Sequence, residues 1–413
     1  MKITILTYGS RGDVEPFVEL GKGLIKAGYQ VRLAAPKKFK PLVSGNQIEF
    51  ISFPGDPQQL VQDLVDQAGG SWLGMVSEMS SFVLPLGAEV SQLAYTACRD
   101  ADLIIHSFLL TNTGFEIARE MDIPDISAQT FPVFTNTGAF PAPVAPDLPL
   151  GDIYRKLTHA LVTQTFWQGS RIIYRRIRKE LPELPPLTSW PFDPHNTWKT
   201  PILYAFSPQI VPRPADWPDG VYITGYWFSA NEIDWKPDAQ LTRFLENGPA
   251  PIAVAFGSTS TSKITGVYHK VVEALRRTDQ RGIIIGKKPR ELGSQNVFWH
   301  EEYIPYTWLF KHSNAVIHHG GAGTTGKALQ AGIPNIILPF TSDQPFWGRQ
   351  VHQLGVGPKP LFPRKLDAGQ LASAIDSAVN NPTLRERAKA IGRAIRTEDG
   401  VSQAVKIIQS YID

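Results

Sequence analysis

Residues 315–344, AVIHHGGAGTTGKALQAGIPNIILPFTSDQ, restrict the fold more than any other part of this 413-residue chain. The apolar run 315–317 has the character of a short buried strand, and a glycine-rich turn follows it directly. Thr324 then begins a helical segment, and the apolar run 335–338 is typical of a second buried strand. The stretch therefore predicts a βαβ unit, with its turn at the carboxyl edge of a parallel sheet.

The turn of this unit has the chemistry of an anion site. Gly321 and Gly323 permit a tight turn and a close approach of the backbone to a ligand. Thr324 and Thr325 open the helix, whose free N–H groups and dipole favour negative charge. His319 adds one more donor beside them. These five residues are the predicted contacts of a diphosphate.

Two other interpretations apply to the same residues. Gly321, Gly323 and Gly326 spell G-x-G-x-x-G between a strand and a helix, and Asp343 follows about 20 residues later, as in the dinucleotide fingerprint. Three features oppose a dehydrogenase: the motif is late in the chain, two histidines precede it, and Asp343 is several residues past the strand. The second alternative is a glycine turn that only packs a helix on a strand.

The residue sequences of these motifs resemble those of a known family. HHGGAGTT at 318–325, DQPFWG at 343–348 and LGVGPKPL at 354–361 are similar to the donor site of family 1 glycosyltransferases of the GT-B fold. The motifs resemble most those of UDP-glucose:sterol glucosyltransferases. GSRGDVEP at 9–16 resembles the amino-terminal loop of the same family. The resemblance implies an α/β protein in which two Rossmann-like, doubly wound parallel-sheet domains face each other across a cleft.

The implied enzyme is an inverting hexosyltransferase that needs no metal. It would move glucose from UDP-glucose to the hydroxyl of a sterol or similar hydrophobic lipid. An alternative is transfer to an antibiotic, polyketide or other small aglycone from a UDP- or dTDP-sugar. Two further alternatives are a nucleotide-sugar 2-epimerase and a non-catalytic binding module.

The length of the chain fits two domains of about 200 residues each. The predicted boundaries are an acceptor-binding domain at 1–207, a linker at 208–220, a nucleotide-sugar domain at 221–395, and a segment at 396–413 that in this family crosses back to the first domain. Strand and helix patterns alternate in both halves. Strands are predicted at 2–7, 30–35, 48–52, 103–107, 125–128, 251–256 and 282–285, with helices at 14–27, 153–180, 401–412 and between 57 and 98.

Charge and composition exclude several classes. A formal charge of +3 is far below the footprint of a nucleic-acid-binding protein. The single cysteine, Cys98, excludes an intramolecular disulfide and a cysteine metal cluster. No signal peptide or run of about 20 apolar residues is present. We therefore expect a cytoplasmic protein, at most peripheral to a membrane.

The donor side needs groups for the phosphates and for the sugar. Ser258, in the sequence FGST, joins the diphosphate contacts, and no D-x-D motif stands at a strand end, so no metal or other cofactor is expected. Asp343 and Gln344 are predicted to hold the sugar, because a carboxylate and an amide can bond adjacent hydroxyls. An Asx turn or helix cap at Asp343 is the alternative.

The nucleobase and the catalytic base are assigned from the resemblance. Tyr303 occupies the place where relatives stack an aromatic ring on uracil, with Trp308 as its rival. Asp13 occupies the place of the catalytic base, although it also suits a helix cap. His106 stands where plant-type members carry an Asp that supports a catalytic His, so a reversed Asp13–His106 pair is one hypothesis and a hydrogen-bonded pocket residue the other.

The acceptor side is less sharply defined. Residues 153–180 mix basic and apolar side chains in a pattern that suits either an anionic lipid surface or an ordinary solvated helix. Apolar residues at 72–86 and 131–140 are the predicted wall of a pocket for a flat hydrophobic alcohol. The expected partners are thus a nucleotide sugar, a hydrophobic alcohol and a membrane surface.

Overall fold

A computed structural model describes residues 1–56, 84–197, 199–229, 235–257, 262–293 and 295–412. The chain divides into two compact units. The first comprises Met1–Phe206, Arg213–Phe228 and Asp399–Asp413, and the second comprises Ser207–Pro212 and Ser229–Glu398. Each unit is built on its own parallel sheet.

The sheet of the first unit has seven parallel strands in the order β3-β2-β1-β4-β5-β6-β7. Strand order reverses between β1 and β4, which makes the carboxyl edge there the switch point where open α/β sheets bind ligands. The strands are β1 Lys2–Leu6, β2 Gln30–Pro36, β3 Glu49–Phe53, β4 Leu103–His106, β5 Asp125–Gln129, β6 Ile202–Tyr204 and β7 Val221–Ile223.

Helices cover both faces of this sheet. They are α1 Arg11–Lys26, α2 Lys40–Val43, α3 Leu84–Cys98, α4 Thr111–Glu120 and α5 Gly151–Glu180. Ile3 and Ile5 point into the core beneath α1, whereas Leu6 and Ile104 point into a second core beneath α3 and α4. Because both faces of the sheet are covered, the central strands β1 and β4 carry buried apolar residues on each face.

The sheet of the second unit has five parallel strands in the order β10-β9-β8-β11-β12. Its switch point lies between β8 and β11. The strands are β8 Ile252–Ala255, β9 Gly282–Ile285, β10 Val297–His300, β11 Ala315–His318 and β12 Asn335–Ile337.

The described helices that follow β7 are α6 to α13. They are α6 Ala239–Glu246, α7 Ser262–Arg277, α8 Tyr306–Lys311, α9 Ala322–Ala331, α10 Gln344–Gln353, α11 Ala368–Asn380, α12 Pro382–Arg396 and α13 Gly400–Ile412. Helix α13 belongs to the first unit, where Val405 and Ile408 join the core that α1 covers. Of the others, α7 and α11 pack on one face of the second sheet, and α6, α8 and α9 pack on the opposite face.

The predicted fold class, two doubly wound parallel-sheet domains, is confirmed. Every strand named from the sequence is present, with ends that differ by at most one residue. Of the helical region predicted between 57 and 98, only 84–98 lies within the described residues, and it is helical. The pattern succeeds because buried parallel strands are apolar on both faces.

Candidate active site

Asp13 lies in the first turn of α1, directly after the loop that leaves β1. Ser10 is the N-cap, and both its backbone N–H and its hydroxyl donate to Oδ2 of Asp13, each at 2.7 Å. A Cβ at Gly9 would stand 2.5 Å from that same oxygen, and the backbone there has a φ of +151°. Glycine is therefore required at position 9 so that the carboxylate can fold back over the loop.

The environment of Asp13 changes its acidity. Burial raises the pKa of the carboxyl group, and the two hydrogen bonds from Ser10 oppose that rise. The Thr7 hydroxyl also donates to the backbone oxygen of Asp13, at 2.7 Å, which anchors the turn. A carboxylate with a raised pKa is a better proton acceptor than an ordinary one. Helix capping and a role as base are therefore compatible at this residue.

His106 does not form the hypothesised pair with Asp13. Its Nε2 lies 2.8 Å from Oδ2 of Asp125, and both side chains are fully buried. Within the described residues its Nδ1 has no hydrogen-bond partner. The register of the sheet explains the correction: Asp125 is opposite Ile104 and Ser127 is opposite His106, so the side chains of Asp125 and His106 are diagonal neighbours on one face of the sheet.

Other buried polar atoms lie at the same edge of the sheet. Ser107 follows β4, Asn112 lies in the first turn of α4, and Gln129 ends β5. The atoms Oγ of Ser107, Nδ2 and Oδ1 of Asn112 and Oε1 of Gln129 have no partner among the described residues. Buried polar groups normally have one, so these atoms suit a polar ligand or water. Only their position after buried strands could have signalled them in the sequence.

In the second unit, His318 supports the glycine turn. It ends β11 and is fully buried, and its Nε2 lies 2.9 Å from Oδ1 of Asn335. Its Nδ1 accepts the N–H of Gly320 at 3.1 Å. Burial and the neighbouring His319 lower the pKa of His318 to about 3. The ring is thus neutral, with its proton on Nε2, and fixes the start of the turn.

His319 lies in the loop that follows β11, and its ring is next to Gly257 in the loop that follows β8. A Cβ at Gly257 would stand 3.4 Å from its Cε1, and a Cβ at Gly321 would stand 2.6 Å from its Nε2. Burial lowers the pKa of His319 to about 4, against the opposite effect of the Ala255 carbonyl. Its Nδ1 is buried and has no hydrogen-bond partner among the described residues. A neutral imidazole with an unused nitrogen therefore stands at the switch point.

The first turn of α9 completes this anion site. Gly321 is the N-cap, and Gly323 and Thr324 follow in the first turn. The hydroxyl of Thr325 is buried and unpartnered among the described residues. A Cβ at Gly323 would meet no described atom within 4 Å. The predicted diphosphate residues His319, Gly321, Gly323, Thr324 and Thr325 are thus brought together, whereas Ser258 lies outside the described residues.

Asp343 and Gln344 stand at the N-terminus of α10, after β12. Trp347 Nε1 donates to Oδ2 of Asp343 at 2.7 Å, and the Gln344 Oε1 accepts the N–H groups of Phe340 and Thr341 at 2.7 and 3.1 Å. Asp343 is the N-cap residue, but its side chain makes no cap bond. The pair is therefore oriented by its own loop, and Trp347, which is fully buried, holds the carboxylate from the core side.

Two aromatic residues were candidates for the nucleobase. Tyr303 lies in the loop between β10 and α8 and is 46% exposed. Trp308 packs against Trp235 and His312, with ring centroids 4.8 and 4.1 Å apart. The ring of Trp308 is packed between these two neighbours, whereas Tyr303 is exposed and stays a candidate for stacking.

An aromatic cluster lines the carboxyl edge of the first sheet beside α5. It consists of Phe108, Phe131, Phe134, Phe166, Trp190 and Phe192, with ring centroids 5.0–6.0 Å apart in contacting pairs. An open cavity of about 560 Å³ adjoins it, lined by Trp167, Arg171 and His195 among others. Of the predicted pocket wall, 131–140 is described and contributes, whereas 72–83 lies outside the described residues.

The described residues contain no group of three or more His, Cys, Asp or Glu side chains able to hold a metal ion. Within the same ranges, no helix is both long and apolar enough to cross a bilayer.

Comparison with known proteins identifies the class. Residues 3–92 match the model described as glycosyltransferase family 28 N-terminal domain. Residues 286–406 match that of the erythromycin biosynthesis protein CIII-like C-terminal domain. Among solved structures, the kitacinnamycin glycotransferase has a TM-score of 0.71 at 20% identity, with 99% of this chain and 98% of that one covered. A calicheamicin glycosyltransferase also has a TM-score of 0.71, at 17% identity, with 100% and 98% covered.

The chain therefore belongs to the glycosyltransferases of the GT-B fold, and the family resemblance seen in its motifs is confirmed. It is 36% identical to a sterol 3-beta-glucosyltransferase of Yarrowia lipolytica, with 100% of this chain and 29% of the relative covered. It is 33% identical to another of that name from Pichia angusta, with 100% and 34% covered. The chain spans about a third of the length of these relatives.

Proposed function

We propose that this protein is an inverting, metal-independent glycosyltransferase that moves a hexose, glucose from UDP-glucose, to the hydroxyl of a sterol or similar hydrophobic lipid. The observation that carries the proposal is the anion site at the start of α9. There Nδ1 of His319 and the hydroxyl of Thr325 are buried without described partners beside a helix N-terminus. Such a site suits a diphosphate, and its donors gain strength as charge develops on the leaving group.

The reaction then needs three events. The acceptor oxygen attacks the anomeric carbon, its proton passes to the carboxylate of Asp13, and the bond from that carbon to the β-phosphate oxygen breaks. The nucleoside diphosphate leaves with the bonding electrons. A neutral His319 can donate its single N–H to the leaving phosphate and so stabilise the charge that develops there. A single displacement of this kind converts an α-linked donor into a β-glycoside.

The acceptor class rests on two independent supports. Relatives that match the whole length of this chain are named sterol 3-beta-glucosyltransferases. The aromatic cluster offers apolar ring faces suited to a flat hydrophobic alcohol, and the unpartnered atoms of Ser107, Asn112 and Gln129 offer polar contacts for its hydroxyl end. A lipid-like acceptor agrees with a cytoplasmic enzyme that meets a membrane surface through residues 153–180.

The test is a transfer assay with UDP-glucose and dTDP-glucose, each against a sterol, a simple phenol and a polyketide aglycone. We expect a β-glucoside of the sterol from UDP-glucose, with its anomeric configuration read by NMR, and an unchanged rate after chelation of divalent metals. His319→Ala should abolish transfer, whereas His352→Ala, which changes an exposed histidine of the same unit, should not.

The other outcomes separate the alternatives. Transfer to the aglycones alone would assign the second acceptor class. Conversion of the nucleotide sugar without an acceptor product would indicate an epimerase. Donor binding with no reaction would indicate a binding module. Failure to bind any nucleotide sugar would overturn the assignment.

A further inference from the structure

The first half of α5 carries an uncovered apolar surface. Leu150, which caps the helix, and Ile153, Leu157 and Leu161 follow each other at spacings of three, four and four residues, and so lie along one face. Their exposed fractions are 62%, 77%, 62% and 69%. We name these four residues the apolar stripe. Side chains of this size are normally covered, so a continuous stripe of them indicates a partner surface.

The same face continues into positive charge. Arg175 follows Leu157 by 18 residues and Lys179 follows Leu161 by 18 residues, which is five turns of an α-helix. Both basic side chains are therefore in line with the apolar stripe, and both are exposed. We name these two residues the basic end. Ile172, 57% exposed, lies between the two parts.

The helix as a whole is strongly basic. It holds seven Lys and Arg residues but only two acidic ones, a net charge of +5, compared with +3 for the complete chain. Positive charge in line with exposed leucine and isoleucine is the composition of helices that lie in the interface of an anionic bilayer. A second copy of the chain would bring two such helices together and would place like charges near each other.

The opposite face of α5 is fixed to the first unit. Trp167 is buried and Phe166 packs against Phe108 of the aromatic cluster, with ring centroids 5.0 Å apart. Thr158 accepts the N–H of Ala142 at 2.9 Å, and His159 Nε2 lies 3.0 Å from the Phe140 oxygen. The outward face is therefore presented by a rigid support, not by a loose helix.

We propose that the apolar stripe and the basic end together dock this protein on the surface of an anionic phospholipid bilayer. The helix lies in the plane of the membrane, with the apolar stripe at the level of the acyl chains and the basic end among the headgroups. This deepens the proposed function, on which it rests, by assigning the membrane contact to the six residues of the apolar stripe and the basic end. It places the aromatic cluster on the other face of the same helix, so a lipid alcohol leaving the bilayer at α5 has only the thickness of the helix to pass.

The experiment measures binding of the full chain to vesicles without donor or acceptor. One set of vesicles is phosphatidylcholine, and the other contains about 30% phosphatidylglycerol, at low and high salt. We expect co-sedimentation with the anionic vesicles that exceeds that with neutral ones by about tenfold or more and falls as salt increases. Equal, salt-independent binding to both vesicles, or none to either, would overturn the proposal.

Matched variants locate the surface. The triple change Ile153→Ser, Leu157→Ser and Leu161→Ser should lower binding to anionic vesicles at least tenfold, and the pair Arg175→Gln and Lys179→Gln should lower it about tenfold at low salt. The controls are Phe362→Ser, which removes a 53% exposed apolar side chain of the second unit, and the pair Lys389→Gln and Arg393→Gln on exposed sites of α12. Equal losses in the controls would contradict the assignment.

Two further readouts keep the result interpretable. Thermal unfolding of each variant shows that it folds, and because all changes are at exposed sites we expect unchanged midpoints. Size-exclusion chromatography tests whether a second copy of the chain covers the apolar stripe instead of a membrane. A dimer that the triple change converts to monomers would mean that the apolar stripe joins two copies of the chain. Glucosyl transfer to a detergent-solubilised acceptor should be retained by all variants, so failure of membrane docking is distinguishable from failure of the proposed reaction.

Discussion

The imidazole of His319 lies against the backbone of Gly321, so closely that a Cβ on Gly321 would stand 2.6 Å from Nε2 of the ring. Real side chains do not tolerate that separation, so the ring position and the glycine are a single feature. The unpartnered Nδ1 of His319 depends on it for its direction. Gly321 therefore acts on the anion site through the histidine as well as through its own backbone.

Gly321→Ala should displace the His319 ring and so remove one donor from the leaving group. Loss of a single preorganised donor of this kind costs about 10²–10³-fold in turnover. We expect kcat for transfer to fall by about that factor, with an unfolding midpoint close to that of the parent. Wild-type kcat in a folded Gly321→Ala protein would show that the position of His319 does not matter.

Gly323→Ala should change ligand binding and fold stability in opposite directions. A Cβ there meets no described atom, and alanine is about 1 kcal/mol better than glycine inside a helix. The variant should therefore be slightly more stable than the parent, while the added methyl group obstructs the approach of the diphosphate. Calorimetric titration with UDP should show an affinity loss of about tenfold. Unchanged UDP affinity would remove Gly323 from the diphosphate contacts.

The success of the sequence prediction follows from local patterns. The strand, turn and helix of the βαβ unit around β11 and α9 occupy one continuous segment of the sequence, so local patterns predict all three. The contact between Gly257 and His319 could not, because it joins loops that are about 60 residues apart and depends on the order of the strands.

The same limit applies at His106, where the sequence left two hypotheses and the structure shows a hydrogen-bonded residue instead of a pair with Asp13. Position in the family's pattern suggests Asp13 as its partner, and His106 ends β4, which lies beside the strand β1 that precedes Asp13. Side chains of successive strand residues point to opposite faces, however, and no sequence motif states which face a given residue takes. The register pairs His106 with Ser127, and Asp125, at the start of the same strand, is the diagonal neighbour of His106 on that face.

His106→Asn should therefore affect stability more than chemistry. The change removes Nε2 of the ring as a partner of the buried carboxylate of Asp125, whose two oxygens also lie 3.0 and 2.9 Å from the Thr200 hydroxyl. Breaking one side of a buried pair costs about 3 kcal/mol. We expect that loss in chemical denaturation, with turnover per folded molecule within about threefold of the parent. A large loss of turnover without a loss of stability would restore the pairing with Asp13.

Asp13→Asn, in contrast to His106→Asn, should affect turnover more than stability. Removal of a general base lowers turnover by about 10²–10⁴-fold. In the parent, kcat/KM should rise with pH through the raised pKa of Asp13, above the value near 4 of an ordinary aspartate. The control is Glu19→Gln, which removes the half-buried partner of Lys22 on the same helix and should leave the profile unchanged.

The stability of Asp13→Asn checks the same shift independently. A carboxyl group with a raised folded-state pKa stabilises the protein fully below the unfolded pKa, and that contribution is lost as pH rises through the folded value. At pH 7 the asparagine variant should therefore be as stable as the parent or more so. A clear destabilisation at pH 7 would mean that capping of α1 by the charged carboxylate outweighs its burial.

The two histidines of the donor loop predict acid sensitivity of the second unit. Burial lowers the pKa of His318 to about 3 and that of His319 to about 4, from an ordinary value of 6.5. Below pH 6.5 the unfolded chain takes up protons that the folded one does not, so stability is lost as pH falls from 6.5 towards 4. The slope should be roughly 1 kcal/mol per pH unit for each histidine. Denaturant titrations between pH 7 and 4 measure it, and His319→Gln should flatten the slope by about half, whereas His352→Gln, at an exposed site of the same unit, should not change it. An unfolding free energy that stays constant across this range would show that the two rings can be protonated in the folded protein.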